Sequence, residues 1–335
     1  MKHTRNRTFI QRTLAAALAV PVAALALSGC APTGKASASS DAGAGSGATS
    51  GKIQVVSSLN TWGNLAEIVG GDYVSVKSII SDPLQDPHSY QATVRDQLAV
   101  SKARFVLANG AGYDNFIDSL GMAAKKGVFH IASNLTNPSY GTNPHIWYSI
   151  GADREAALLI AHQLGEIEPQ HAAYFTQNAA QFNTRMALLQ VHQTGLTQGN
   201  DIHVLSVESI ADLMLNESGI KIATPKDFAL AVQNNTDISP KALAEAKALI
   251  TTGKVQLLVL NAQESSPAGK ALAAAAASAT SAGSASATDG AKPVAVISMS
   301  ELLPAGKNFV DWMTDNVATI ENALVKTGVL KAPTA

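Results

Sequence analysis

The chain has 335 residues, of which 46% are apolar and 15% charged, and its formal net charge is −1. That balance argues against a nucleic-acid partner, which selects a basic face, and the apolar share is too high for a disordered chain. A single cysteine excludes a disulfide scaffold and a thiolate metal cluster, and the length suits two domains better than one.

Lys2, Arg5, Arg7 and Arg12 lead into an apolar run from Leu14 to Leu27, about 14 residues of mostly Ala, Leu and Val. The run is too short to span a bilayer and has the form of a signal-peptide core. It ends in Leu27-Ser28-Gly29-Cys30, which resembles the lipobox of bacterial lipoproteins. The resemblance implies a signal peptide at 1–29, lipidation of Cys30 and a hold on the membrane through acyl chains. Residues 30–51 are rich in Gly, Ser and Ala and read as a flexible tether. No later apolar run reaches the roughly 18 residues that a transmembrane helix needs.

From residue 52 the chain alternates strand-like and helix-like segments. Ile53–Ser57 and Val74–Ile80 are β-rich, and between them Trp62, Leu65, Ile68 and Val69 fall on one side of a helix. Gln91–Ser101 reads as a helix and Arg104–Ala108 as a strand ending at Asn109-Gly110. Tyr113–Lys126 reads as a helix and Gly127–Ile131 as a strand. Such alternation predicts a parallel sheet with helices on both faces. Ala152–Gly165 and Pro169 to about Thr194 read as two consecutive helices, the second about 37 Å long. The pattern then restarts with strands at His203–Val207, Lys221–Ala223, Val255–Leu260 and Val294–Ile297. Ser239-Pro240 caps a helix that runs to Ile250. The low-complexity stretch at 270–291 starts Ala-rich, as the end of a helix, and continues in Ser, Gly and Thr as a surface loop. The expected organisation is a first α/β lobe at 52–167, a connecting helix at 168–199 and a second α/β lobe at 200–335.

Open parallel sheets bind ligands at the carboxyl ends of their strands. Four residues there attract notice: His88, His145, Glu208 and Glu301. Each histidine follows a proline, which restricts the backbone that aims the ring. Two neutral imidazoles and two carboxylates suit a divalent transition ion, because the charges balance and the cluster can be buried without a large desolvation cost. Taken singly, each has an ordinary alternative: a loop histidine with a satisfied hydrogen bond, or a strand-end glutamate that is solvated or caps a helix. His130, His162, His171, His192 and His203 sit within strand or helix segments and read as structural or exposed. Asn261 and Gln263, at the end of the Val255–Leu260 strand, offer hydrogen bonds to the carboxylates or simply cap the strand. Trp62 and Trp147 read as core, with the sealing of a cleft as the alternative.

The neighbouring residues sharpen this. The segments Ser81-Asp82-Pro83 with Asp86-Pro87-His88-Ser89-Tyr90, Val106-Leu107-Ala108-Asn109-Gly110-Ala111-Gly112-Tyr113-Asp114, Asn143-Pro144-His145-Ile146-Trp147-Tyr148, and Glu301-Leu302-Leu303-Pro304 leading to Phe309-Val310-Asp311-Trp312-Met313 and Asn316 extend from about 52 to 325. Together they resemble the TroA-like metal-binding lipoproteins, the substrate-binding components of zinc and manganese ABC transporters. The resemblance implies two lobes, each a four-stranded parallel sheet with flanking helices, joined by one long backbone helix. It also implies one metal ion at the lobe interface. Carried over residue by residue, His88 and His145 match the first two ligands, Glu208 the third, and Glu301 a fourth position that is usually Asp.

On this resemblance the chain is no enzyme. It is expected to act as a monomer on the outer face of the cytoplasmic membrane, capturing Mn²⁺ or Zn²⁺, or Fe²⁺, for an ABC permease and its cytoplasmic ATPase. The His/Asp/Glu-rich loop that the family's zinc-specific members often carry is absent from the sequence, and two carboxylates suit a harder ion, yet ligand type alone does not set selectivity. A metal-binding surface adhesin and a metal-dependent hydrolase are the rival readings; four protein ligands leave little room for the water a hydrolase needs. Gly110-Ala111-Gly112 lacks the third glycine of a dinucleotide fingerprint.

Overall fold

Aliphatic runs with few charges become the strands of two separate parallel sheets, each four-stranded. The computed structural model describes residues 51–82, 85, 87, 89–137, 140, 143–286 and 293–332. The expected signal segment, Cys30 and His88 lie outside these residues. Residues Ser50–Ala335 form one compact unit.

The first sheet is built from β1 (Ile53–Leu59), α1 (Asn60–Gly70), β2 (Val74–Ile80), α2 (Val94–Lys102), β3 (Phe105–Ala108), α3 (Phe116–Ala124) and the two-residue β4 (Phe129–His130), followed by the short α4 (Ile131–Asn134). Its strand order is β2-β1-β3-β4, with Val55 facing Val76 on one side and Phe105 on the other. β1 is central and buried at every position except Gln54, which explains its unbroken apolar character.

Two helices then run in succession. α5 (Ile150–Ile167) starts at Ser149, whose hydroxyl accepts the Ala152 N–H at 3.2 Å. A turn at Pro169–His171 leads into α6 (Ala172–Gly195). Its 24 residues give a length of about 36 Å. Phe175, Ala179, Phe182, Met186, Leu189 and Gln193 alternate spacings of four and three and form its buried face.

The second half repeats the winding. β5 (His203–Ser206), α7 (Asp212–Glu217), β6 (Lys221–Ile222), α8 (Lys226–Gln233), α9 (Pro240–Thr251), β7 (Leu257–Asn261), α10 (Pro267–Ser286), β8 (Ala295–Met299) and α11 (Phe309–Lys326) follow in order. The sheet order is β6-β5-β7-β8, again parallel throughout.

The lobes share a core at the linker helix. α6 packs on α1 and α5 and also on α11. Phe309 of α11 lies 6.3 Å from Trp62 of α1, 5.9 Å from Phe182 of α6 and 6.1 Å from Trp312 of its own helix. These aromatic rings are fully buried, so wide separation of the lobes would return a large apolar area to water.

One expectation is corrected. The surface loop expected within 270–291 is helix as far as Ser286. Alanine is the strongest helix former and serine is only moderately weaker. Ala268, Leu272 and Ala276, four residues apart, bury into the second lobe's outer core with Phe228, Ile250 and Leu258. Among the described residues no helix is long and apolar enough to cross a membrane.

The Ser239 cap forms as expected, accepting the Ala242 N–H at 3.2 Å at the start of α9. Ser239→Ala is expected to cost about 1 kcal/mol of stability. Urea denaturation would read that loss, and an unchanged midpoint would show the cap to be dispensable.

Candidate metal centre

The strands deliver the polar residues. Glu208 follows β5 by two residues, Glu301 follows β8 by two, and Asn261 is the last residue of β7. His145 lies after β4 and α4, just before the turn that opens α5. All therefore sit at the carboxyl ends of the two sheets, facing each other from different lobes.

His145, Glu208 and Glu301 each offer a donor atom, and the three atoms lie within 4.8 Å of one another. His145 and Glu301 are buried, and Glu208 is half-buried. A tetrahedral ion with bonds of about 2.1 Å sets its donors about 3.4 Å apart, so closing the shell takes only small side-chain shifts. His88, the remaining residue of the expected set, lies outside the described residues.

Supporting hydrogen bonds fix the donors. Asn143 Oδ1 accepts from the His145 backbone N–H at 3.0 Å and from Nδ1 at 2.9 Å. The Nδ1 proton thus points at Asn143, which leaves the Nε2 lone pair as the ligating one. Asn143 Nδ2 donates to the Ser209 carbonyl at 2.7 Å, so the support for a first-lobe histidine reaches the second lobe beside Glu208. Asn261 Nδ2 donates to Glu208 Oε2 at 2.8 Å and also to Glu301 Oε1. Gln263 accepts the Glu301 N–H at 2.8 Å and donates its own N–H to Asn261 Oδ1 at 2.8 Å. The two residues therefore form one hydrogen-bonded ring behind the carboxylates. Asn261's donors offset part of the repulsion between two neighbouring negative groups.

Tyr113 is the contact that reasoning from the sequence did not single out. Its hydroxyl donates to Glu301 Oε2 at 2.7 Å across the cleft. Burial first, then the Glu301, Glu208 and Asp114 carboxylates, lift the phenol well above its ordinary range, so it keeps its proton and acts as a donor. The ring meets His145 and Trp147 edge-on at 5.5 and 5.1 Å. A turn with positive φ at Gly110, Ala111 and Gly112 presents it. Asp114 ties that turn down, accepting the Asn109 N–H at 2.7 Å, the Gly110 N–H at 2.9 Å and the Ser58 hydroxyl. Behind it, Trp62 Nε1 donates to Asn109 Oδ1 at 2.9 Å, and both tryptophans are fully buried.

The other described histidines lie elsewhere. His130 bonds Asp118 at 2.8 Å, His192 bonds Glu321 at 3.0 Å, His203 bonds Asp201 at 3.2 Å, and His171 stacks on Tyr73 at 3.7 Å. His162 is exposed, 3.8 Å from Glu166.

The family model described as zinc-uptake complex component A, periplasmic, matches residues 55–323. A putative metal-binding protein of Treponema pallidum is 25% identical over 159 residues, 41% of this chain and 50% of that protein. The manganese-binding lipoprotein MntA of Bacillus subtilis is 28% identical over 180 residues, 51% of this chain and 55% of that protein. The chain thus spans about half the length of the curated relatives it matches. Among solved structures, the binding protein FpvC of Pseudomonas aeruginosa in complex with Mn²⁺ superposes with a TM-score of 0.66 over 83% of this chain and all of that one. At 18% identity that likeness speaks for the fold.

Proposed function

The chain belongs to the family of the periplasmic zinc-uptake complex component A, and we propose that it captures a divalent transition metal outside the cytoplasm and delivers it to an ABC permease. The observation that carries this is the cluster of His145, Glu208 and Glu301, from two lobes, with donor atoms within 4.8 Å. His88 completes the set as the second histidine. One nitrogen and two carboxylate oxygens from described residues suit Mn²⁺, Zn²⁺ or Fe²⁺. The names of the relatives, a putative metal-binding protein and a manganese-binding lipoprotein, support the same reading.

No bond is made or broken in this role; the metal is cargo. The partners are the permease with its cytoplasmic ATPase. Cys30, lipidated, holds the monomer on the outer face of the cytoplasmic membrane. The aromatic core between α1, α6 and α11 resists wide opening. Release therefore proceeds through small lobe shifts and loss of ligands.

Metal analysis of the purified protein, followed by competition among Mn²⁺, Zn²⁺ and Fe²⁺, tests the proposal. Bound metal, or a rise in Tm with at least one of the ions, is expected. Absence of metal and no shift with any of the three would overturn it.

A further inference from the structure

We propose that Tyr113 is a positioning residue that ties Glu301 to the first lobe, so that one hydrogen bond across the cleft couples lobe closure to metal retention. The inference rests on the metal-capture reading and deepens it. Glu301 belongs to the second lobe, and its supports from Asn261 and Gln263 come from that lobe too. Tyr113 belongs to the first lobe and donates to Glu301 Oε2 at 2.7 Å. The bond therefore opposes any separation of the lobes at the site itself.

The donor is held rigidly. Tyr113 is 3% exposed, its ring is wedged against His145 and Trp147, and its turn is pinned by Asp114. A rigid donor can fix the rotamer of a longer ligand, and Glu is one methylene longer than Asp. It also acts on the coordination mode. With Oε1 accepting from Asn261 and Oε2 from Tyr113, neither oxygen offers its full electron density to a metal. Glu301 is thereby steered towards ligation through one oxygen, which keeps the coordination number low. Tyr113 also touches His145, so it senses ligands from both lobes.

Tyr113→Phe keeps the ring and removes only the donor. Metal release, followed by a chelator chase, is expected to be about tenfold faster in the variant. Loaded with Co²⁺, the variant is expected to absorb more weakly in the visible, because four-coordinate Co²⁺ absorbs strongly and five- or six-coordinate Co²⁺ does not. A purely structural role for the ring would leave that spectrum unchanged. Tyr113→Leu, which also lacks the donor, is the second variant and should release metal at least as fast. If the unaltered protein binds neither Co²⁺ nor Mn²⁺, Zn²⁺ or Fe²⁺, the metal-capture reading itself fails. If it binds Co²⁺ while both variants match its release rate and spectrum, only the role of Tyr113 is overturned.

Discussion

Glu301→Gln is expected to weaken metal binding by about 100-fold or more, with the fold intact. The change keeps the shape of the side chain and removes its charge. An incoming divalent ion then meets one carboxylate, Glu208, where two had balanced it. The loss is compounded by hydrogen bonding. Glu301 receives donors on both oxygens, from Asn261 on Oε1 and from Tyr113 on Oε2. A glutamine offers an acceptor to one of them and sets its own N–H groups against the other. The buried amide must rotate away or leave a donor unsatisfied, and either movement displaces the remaining oxygen from the cleft. The backbone stays in place, because the Glu301 N–H still reaches Gln263. Titration against a competing chelator reads the affinity, and unfolding of the metal-free protein shows that the fold is retained. An affinity equal to that of the unaltered protein would move the metal away from Glu301.

The alternation of strands and helices was legible because most strands of a parallel sheet are buried on both faces and appear as aliphatic runs. β2 was placed at its observed bounds, and β1 extends two residues further than expected, to Leu59. The connecting helix was legible from its length without Gly or Pro. α8 was missed because Phe228 is its one buried residue, too thin a stripe to register. α11 carries a clear stripe at Phe309, Trp312, Met313, Asn316, Val317, Ile320 and Leu324, but its first residues were read as a motif and not as a periodicity. α10 was read as ending early because serine and glycine were weighed as loop formers, while the alanines between them carry the helix on to Ser286.

Strand-end reasoning picked out His145, Glu208 and Glu301 as candidates, and folding brings these three together. It missed Tyr113 for a physical reason. A tyrosine is not a usual ligand of a divalent ion, and the partner of its hydroxyl is 188 residues away in the chain. Such a contact exists only once both lobes are folded and facing. Asn143 was hidden in the same way, since it supports His145 locally while its amide reaches Ser209 of the other lobe.

Asp153→Asn is expected to stabilise the protein by about 1–3 kcal/mol at pH 8, and by progressively less towards pH 4. Asp153 lies in the first turn of α5, is 0% exposed, and neither of its carboxyl oxygens has a hydrogen-bond partner among the described residues. Glu217 of α7 reaches the same helix start, where its Oε1 accepts from the Ser149 hydroxyl. Burial first, and then the charge of Glu217, raise Asp153 well above the ordinary carboxylate range; burial also raises Glu217. The folded protein therefore keeps a proton that the unfolded chain releases above a pKa of about 3.9. The stability that this proton confers is fully present below that value and is lost as pH rises through the raised folded pKa. An asparagine needs no proton at any of these pH values and carries no charge to oppose Glu217. Urea denaturation of the metal-free protein at pH 4.5 and pH 8 would test this. A difference between variant and unaltered protein that stays the same at both pH values would show that Asp153 titrates no differently in the fold than in the unfolded chain.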